Sequence, residues 1–369
     1  MAEAAISSVR VAAYRVPTDR PEADGTLAWD ATTMVTCEIG AAGRTGFGYT
    51  YADRSTALFV TDVLAPVLEG EDGLATAARW RDMVDAVRNH GRAGVAAMAI
   101  SACDAALHDL RGKLLDQPVS SLLGRRRDTV PVYGSGGFTS YSPQEMAQQI
   151  EDWVEAGFTS LKIKVSGDPV AEADRIAEAR RTAGGEADLM IDANGACSRK
   201  DALLMAEIAA DEGVAWFEEP VSSDDLDGLR LLRDRGPSGM DIAAGEYGYD
   251  AFHFQSLLRT GAVDVLQVDA TRCCGITGLL QADAMAWAAN VPLSLHCAPA
   301  LHMQAATCLQ RLKHVEWFHD HVRLESMLLD GAAQAKNGHA APDLTRPGLG
   351  LALKTQDAEQ YRVWPEGAA

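Results

Sequence analysis

The sequence predicts an α/β protein: a closed βα barrel preceded by a smaller mixed α+β unit. Three observations carry that prediction. From Val130 onward one unit recurs, a short β-rich run followed by a loop and an amphipathic stretch. The β-rich runs are apolar on both faces, as parallel strands covered by helices are. Eight of them, VPVYGSG, SLKIKV, DLMIDAN, AWFEEP, DIAAGE, VDVLQVD, VPLSLHC and HVEWFHD, fit between residues 130 and 320, which suits a barrel better than an open sheet.

In chain order, the first 128 residues read as the mixed unit. VRVAAYRVP and TTMVTCEIG alternate like antiparallel strands, and GRTGFGYTYAD follows as a further strand or turn. The stretch 96–115 has apolar positions at helical spacing, and GRRRDTV (124–130) marks the boundary where the rhythm changes. The catalytic barrel is assigned to 129–329. Within it, PQEMAQQIEDWVEAG, PVAEADRIAEARRTAG, KDALLMAEIAADEG and GLLQADAMAWAAN read as helices. Ser142 and Asp168 each precede a proline, as an N-cap before proline at the first helical position does. Gly157, Gly184 and Gly213 suit helix stops. A doubly wound sheet would want a glycine-rich phosphate loop after an early strand, and GSGG (134–137) completes neither known fingerprint.

Composition excludes several functions. A net charge of −19 disfavours nucleic acid and anionic membrane surfaces, both of which demand a basic footprint. Seven cysteines without CxxC pairing suit reduced thiols in a cytoplasmic protein. Adjacent Cys273 and Cys274 read as small packing residues. The N-terminal stretch lacks an apolar segment of signal-peptide length, and no apolar run approaches the ~20 residues of a membrane span.

Seven successive β-rich runs end in an ionisable group: Lys164, Asp192, Glu218, Glu246, Asp269, His296 and Glu316. In a barrel these ends share one mouth, where active sites sit. Asp192, Glu218 and Glu246 come from three consecutive strands, and three hard oxygen donors describe a Mg2+ site. Lys162 and Lys164 alternate on one strand and point to one face. If that face is the barrel interior, two ammonium groups crowded beside a metal are expected to lower each other's pKa, which makes a lysine a usable general base. Asp269 and His296 end adjacent strands, so the carboxylate can hold one imidazole nitrogen and set its tautomer. His90, His108, His253, His302, His314 and His339 read as packed or surface residues, and His319 and His321 stay unassigned.

Together the motifs LKIK (161–164), IDANG (191–195), WFEEP (216–220), AAGE (243–246), VDATRCCGITG (268–278) and LSLHCAP (293–299) resemble the mandelate racemase subgroup of the enolase superfamily. ALHDLRGKLLDQPVSSLLG (106–124) extends the resemblance across the capping unit. It implies a modified (β/α)7β barrel with an N-terminal α+β capping domain, 1–128, completed by about 330–369. It implies Mg2+ on Asp192, Glu218 and Glu246, Lys164 as base on one face of the substrate, and Lys162 near the substrate carboxylate. His296 with Asp269 would be the second acid/base, and Glu316 a hydrogen-bond partner of that carboxylate. The implied chemistry is removal of a proton α to a carboxylate through an ene-diolate. Its expected outcome is dehydration of a sugar acid to a 2-keto-3-deoxy acid. The alternatives are a racemase or epimerase using Lys164 and His296, and a non-catalytic metal-binding protein. A small-molecule carboxylate partner and a homo-oligomer follow from the same resemblance. Segment 17–30, polar and glycine-containing, reads as a closing loop, from which Arg20, Asp24, Trp29, or nearby Tyr49, could touch the substrate's distal end.

Overall fold

The computed structural model describes residues 4–365; residues 1–3 and 366–369, the outer ends of the two capping segments, lie outside the described residues. Three strands open the chain, β1 (Ile6–Ala23), β2 (Ala28–Ala41) and β3 (Arg44–Tyr51), paired antiparallel. The C-terminal strand Arg362–Trp364 adds itself to the free edge of β1. Helix Val95–Leu115 lies on this sheet, and its approach is unusually close. A Cβ placed on Gly46 would stand 2.1 Å from Ala106 O, and one on Gly48 2.3 Å from Ala102 O. Glycines on alternate residues of β3 thus let helix backbone rest on strand backbone. Cys37, Ile39, Leu64, Met83, Ile100 and Leu107 form the apolar core of this layer.

Eight parallel strands follow: β4 (Val130–Gly136), β5 (Ser160–Lys164), β6 (Asp188–Asp192), β7 (Val214–Glu218), β8 (Asp241–Ala244), β9 (Val265–Val268), β10 (Leu293–Leu295) and β11 (Leu312–Phe318). Each pairs with the next, and β11 pairs with β4, from Val315 opposite Val132 to Phe318 opposite Ser135, so the barrel is closed. Helices cross between successive strands, and a further one, His319–Leu328, follows β11. Sequence-level stops and starts explain several of them. Ser142 and Glu145 form a reciprocal capping box before helix Pro143–Glu155, and Asp168 accepts from Val170 N and Ala171 N ahead of Pro169–Ala183.

Alternation along the strands sorts the barrel interior. Tyr133, Met190, Trp216, Ala243 and Val265 form an apolar layer inside it. At the C-terminal ends the interior becomes charged. Register places Lys164 opposite Asp192, and Asp192 opposite Glu218, in one row.

Segment 17–30 differs from the expected loop. β1 runs on to Ala23 and β2 begins at Ala28, so most of it is a paired hairpin, with Glu22 opposite Trp29. Its tip is seated on the barrel rather than free. Thr139 N donates to Ala23 O at 2.8 Å and Thr139 Oγ1 to Asp24 O at 2.7 Å. A Cβ on Gly25 would meet Ala193 O at 2.4 Å and Val165 O at 2.8 Å, so only glycine fits where the tip meets the loops after β5 and β6. Among the described residues no helix is long and apolar enough to cross a membrane.

Candidate active site

The charged layer gathers at the barrel mouth under the hairpin. Asp192, Glu218 and Glu246 are all buried and bring one oxygen each within 4.8 Å of one another. Lys164 Nζ donates to Asp192 Oδ2 at 2.5 Å. Lys162 Nζ donates to Glu218 Oε1 at 2.5 Å and reaches Glu316 Oε1 at 2.9 Å. Glu316 also accepts from Ser135 Oγ and, through Oε2, from Cys297 N. On the far side, His296 Nδ1 lies 2.8 Å from Asp269 Oδ2, while Thr271 N and Oγ1 donate to Asp269 Oδ1, each at 2.7 Å. That pairing makes Nδ1 the donor and leaves Nε2 with its lone pair toward the mouth. His296 Nε2 lies 3.3 Å from Glu246 Oε2. The three acids therefore bridge Lys164 to His296.

Backbone strain concentrates here. Asn194 (φ 48°), Glu219 (φ 37°), Cys297 (φ 51°) and Ala298 (φ 41°) are left-handed, all just past the ends of barrel strands.

The charge on the two lysines is governed by the carboxylates around them. Burial is the largest single influence and opposes their charge, but Asp192, Glu218 and Glu246 together outweigh it at Lys164, and Glu218, Glu316, Tyr133 and Asp192 together at Lys162, so both are held above the ordinary range. The carboxylates, which the strand pattern also places there, dominate over lysine–lysine repulsion. Burial, and then the Asp192 charge, push Glu218 upward. Burial would raise Asp269 too, but its hydrogen bond to His296 leads the contacts that hold it well below the carboxylate range.

The residues fit a hard divalent cation. Six buried carboxylates, Asp192, Glu218, Glu219, Glu246, Asp269 and Glu316, face three cations, Lys162, Lys164 and Arg272. Glu246 Oε2 and Glu219 Oε1 are buried without a hydrogen-bond donor, as is Asn194 Oδ1. An all-oxygen donor set with surplus negative charge selects Mg2+ over zinc at this triad.

A cavity of about 230 Å3 opens on these groups, lined by Lys164, Glu246 and His296 below and by Asp24, Leu27, Trp29 and Thr32 of the hairpin above. Two expected contact residues, Asp24 and Trp29, thus line it. Two do not. Arg20 turns to Glu145, 3.3 Å away, beside a different cavity that Asp19 and His319 also line. Tyr49 is fully buried between the capping sheet and the barrel, where its hydroxyl donates to Glu325 Oε1 at 2.6 Å and accepts from Leu301 N. Both leave the site because neighbouring elements capture them, which position in the sequence does not reveal.

The structure adds lining residues that sequence reasoning left unassigned: Tyr247, Arg272, Cys297, Phe318 and His321. Arg272 contacts Glu246 at 3.2 Å and Asp269 at 3.7 Å. It stands in the VDATRCCGITG motif, so its neighbours were visible but its direction was not. His321 stacks on Tyr51 at 3.5 Å, and burial brings its pKa down to about 4. His302, read as a packing residue, is fully buried and joins two loops, accepting from Ala270 N and bonding Cys297 O. All seven cysteines are free and buried.

Comparison with known proteins agrees with this arrangement. Residues 6–124 match the mandelate racemase / muconate lactonizing enzyme N-terminal domain, and 145–358 match the enolase C-terminal domain-like family. Curated relatives aligned along the chain include acid-sugar dehydratases and cycloisomerases. An arabinonate dehydratase from Saccharolobus solfataricus is 30% identical over 357 residues, 91% of this chain and 92% of its own. A mandelate racemase/muconate lactonizing enzyme-like protein from Rubrobacter xylanophilus superimposes with a TM-score of 0.95 at 49% identity, covering 97% of this chain and 99% of that one. A racemase from Streptomyces coelicolor A3(2), solved with bound magnesium, gives a TM-score of 0.90 at 29% identity over 97% of this chain and 100% of its own.

Proposed function

The chain belongs to the mandelate racemase/muconate lactonizing enzyme family of the enolase superfamily, and we propose that it dehydrates a sugar acid to a 2-keto-3-deoxy acid. Its cofactor is Mg2+, as in solved relatives. Asp192, Glu218 and Glu246 would hold the ion, which when bound supplies Lewis-acid stabilisation for negative charge on the substrate carboxylate.

The observation that carries this reading is a three-carboxylate bridge with an ionisable acid/base at each end. Lys164 ends β5 and His296 follows β10, separated around the barrel by four strands on one side and two on the other. A substrate in the cavity therefore meets them from different directions. Lys164 in its neutral form removes the C2 proton; a cation held on Asp192 would weaken that carboxylate's hold on the ammonium and so favour the neutral amine. Lys162, already bonded to Glu316, places an ammonium beside the developing negative charge. As the imidazolium, protonated on both nitrogens, His296 gives its Nε2 proton to the departing C3 hydroxyl and returns to the Nδ1–H neutral form, while the Asp269 carboxylate on Nδ1 fixes the ring and stabilises the positive charge on it beforehand. The hairpin tip, Trp29 and Leu27 exclude water from the reacting carbons. Sugar-acid dehydratases among the relatives support this outcome.

The same two groups could instead return a proton to C2 and invert it, and the magnesium-bound racemase supports that second reading. Incubation with MgCl2 and a panel of mono- and diacid sugars separates the two. The expected result is a 2-keto acid whose formation stops in EDTA. Deuterium uptake at C2 in D2O without loss of water would replace dehydration with epimerisation.

A further inference from the structure

The triad of acids is not the only donor cluster at the mouth. Cys297 Sγ lies 3.3 Å from His296 Nε2 and 3.4 Å from Glu316 Oε2, and those two are 3.9 Å apart. In an extended strand, consecutive side chains point to opposite faces, so His296 and Cys297 would not meet. The left-handed backbone at Cys297 and Ala298 breaks that alternation. It brings imidazole, thiol and carboxylate to one point, and all three are buried.

We propose that His296, Cys297 and Glu316 form a second, soft-metal site that takes Zn2+ and switches the enzyme off. Tetrahedral zinc, with bonds of about 2.0–2.2 Å to nitrogen and oxygen and about 2.3 Å to sulfur, spaces its donors roughly 3.3–3.6 Å apart. The observed triangle needs only one edge to shorten. Asp269 on Nδ1 of His296 already sets the tautomer a metal requires, the carboxylate–histidine arrangement that steadies such ligands. Three protein donors leave a fourth position open toward the cavity, the arrangement in which a three-ligand zinc site takes water. His296 and Cys297 line the cavity, so an ion can reach them from solvent. The thiol proton leaves to solvent as the sulfur–zinc bond forms. Mg2+, a hard ion, has no use for thiolate, so excess magnesium does not displace zinc. Loss of activity rests on the acid/base role proposed for His296, whereas binding does not.

The test uses the full chain in excess MgCl2 with Co2+ as an optical stand-in for Zn2+. One equivalent should produce thiolate-to-cobalt charge-transfer absorption that Zn2+ abolishes. Cys197→Ser should keep the band and Cys297→Ser should lose it. No band in the wild type, or an equal band in Cys297→Ser, overturns the site. Should Cys297→Ser fail to fold, alkylation of the wild type decides. Zn2+ should slow iodoacetamide modification of Cys297, located by peptide mass, at least tenfold, and an unchanged rate overturns the site. In the activity arm, one equivalent of Zn2+ should lower turnover more than tenfold. A full cobalt band with undiminished turnover overturns the switch. A protein inactive on every sugar acid removes the dehydratase reading, and the band still decides the metal site.

Discussion

At the scale of single residues, the site depends on pairings that tie each reactive group to a carboxylate. Lys164 on Asp192 and His296 on Asp269 are the two that meet the cavity. Lys164→Ala should lower kcat by about 10²–10⁴-fold while substrate binding, measured by calorimetry, persists. Asp269→Asn keeps the shape but sets a neutral amide against Nδ1, which no longer stabilises the charged ring that delivers the proton. Its kcat should fall by a similar factor, about 10²–10⁴, with KM little changed. These residues were legible because period-2 alternation and strand ends fix where a side chain emerges. Arg272 and Cys297 were not. They leave their strands in tight turns, Cys297 in the left-handed region, and local pattern says nothing of direction there.

The elements that position the site depend on glycine where backbones touch. Gly25 at the hairpin tip and Gly48 under helix Val95–Leu115 are two such points with different consequences. Gly48→Ala forces a methyl against Ala102 O inside a packed layer and should destabilise the fold by about 1–3 kcal/mol, read by urea unfolding. Gly25→Ala lifts only the tip from Ala193 O and Val165 O. Its unfolding midpoint should change little, but kcat/KM should fall about 10–100-fold because the cavity roof is misplaced. Of these elements the sequence reveals the strands and helices more readily than the hairpin. Polar composition and a glycine at 25 suggest a free loop, whereas cross-strand pairing of Glu22 with Trp29 makes it a roof.

Across the whole molecule, a buried acid helps latch the capping sheet to the barrel. Glu325, on the helix after β11, accepts from Tyr49 and Tyr51 of β3 and from Ala300 N. Burial is the main reason its pKa rises to about 7, against an ordinary 4.5. Glu22, at the hairpin, is raised to about 8, again chiefly by burial and then by Asp320. Each is protonated in the folded chain over a range where the unfolded chain has already released its proton. Unfolding therefore releases protons, and stability falls as pH climbs from about 4.5 towards 7 or 8. For Glu325 the loss is on the order of 3 kcal/mol. Thermal unfolding between pH 5 and 8 should show this decline. Glu325→Gln, which cannot ionise, should flatten it, and an unaltered slope would assign the decline to other groups.

By itself, the sequence determined the barrel, its capping unit and the identity of the charged groups at the mouth. Each follows from local periodicity repeated unit after unit, and repetition removes the ambiguity of any one segment. Tertiary structure alone decided which of those charges pair, that each lysine rests on a carboxylate, that Tyr49 latches two domains, and that Arg20 faces another cavity. Distances across a barrel mouth depend on twist, register and tight turns summed over eight strands. No short stretch of sequence contains that sum.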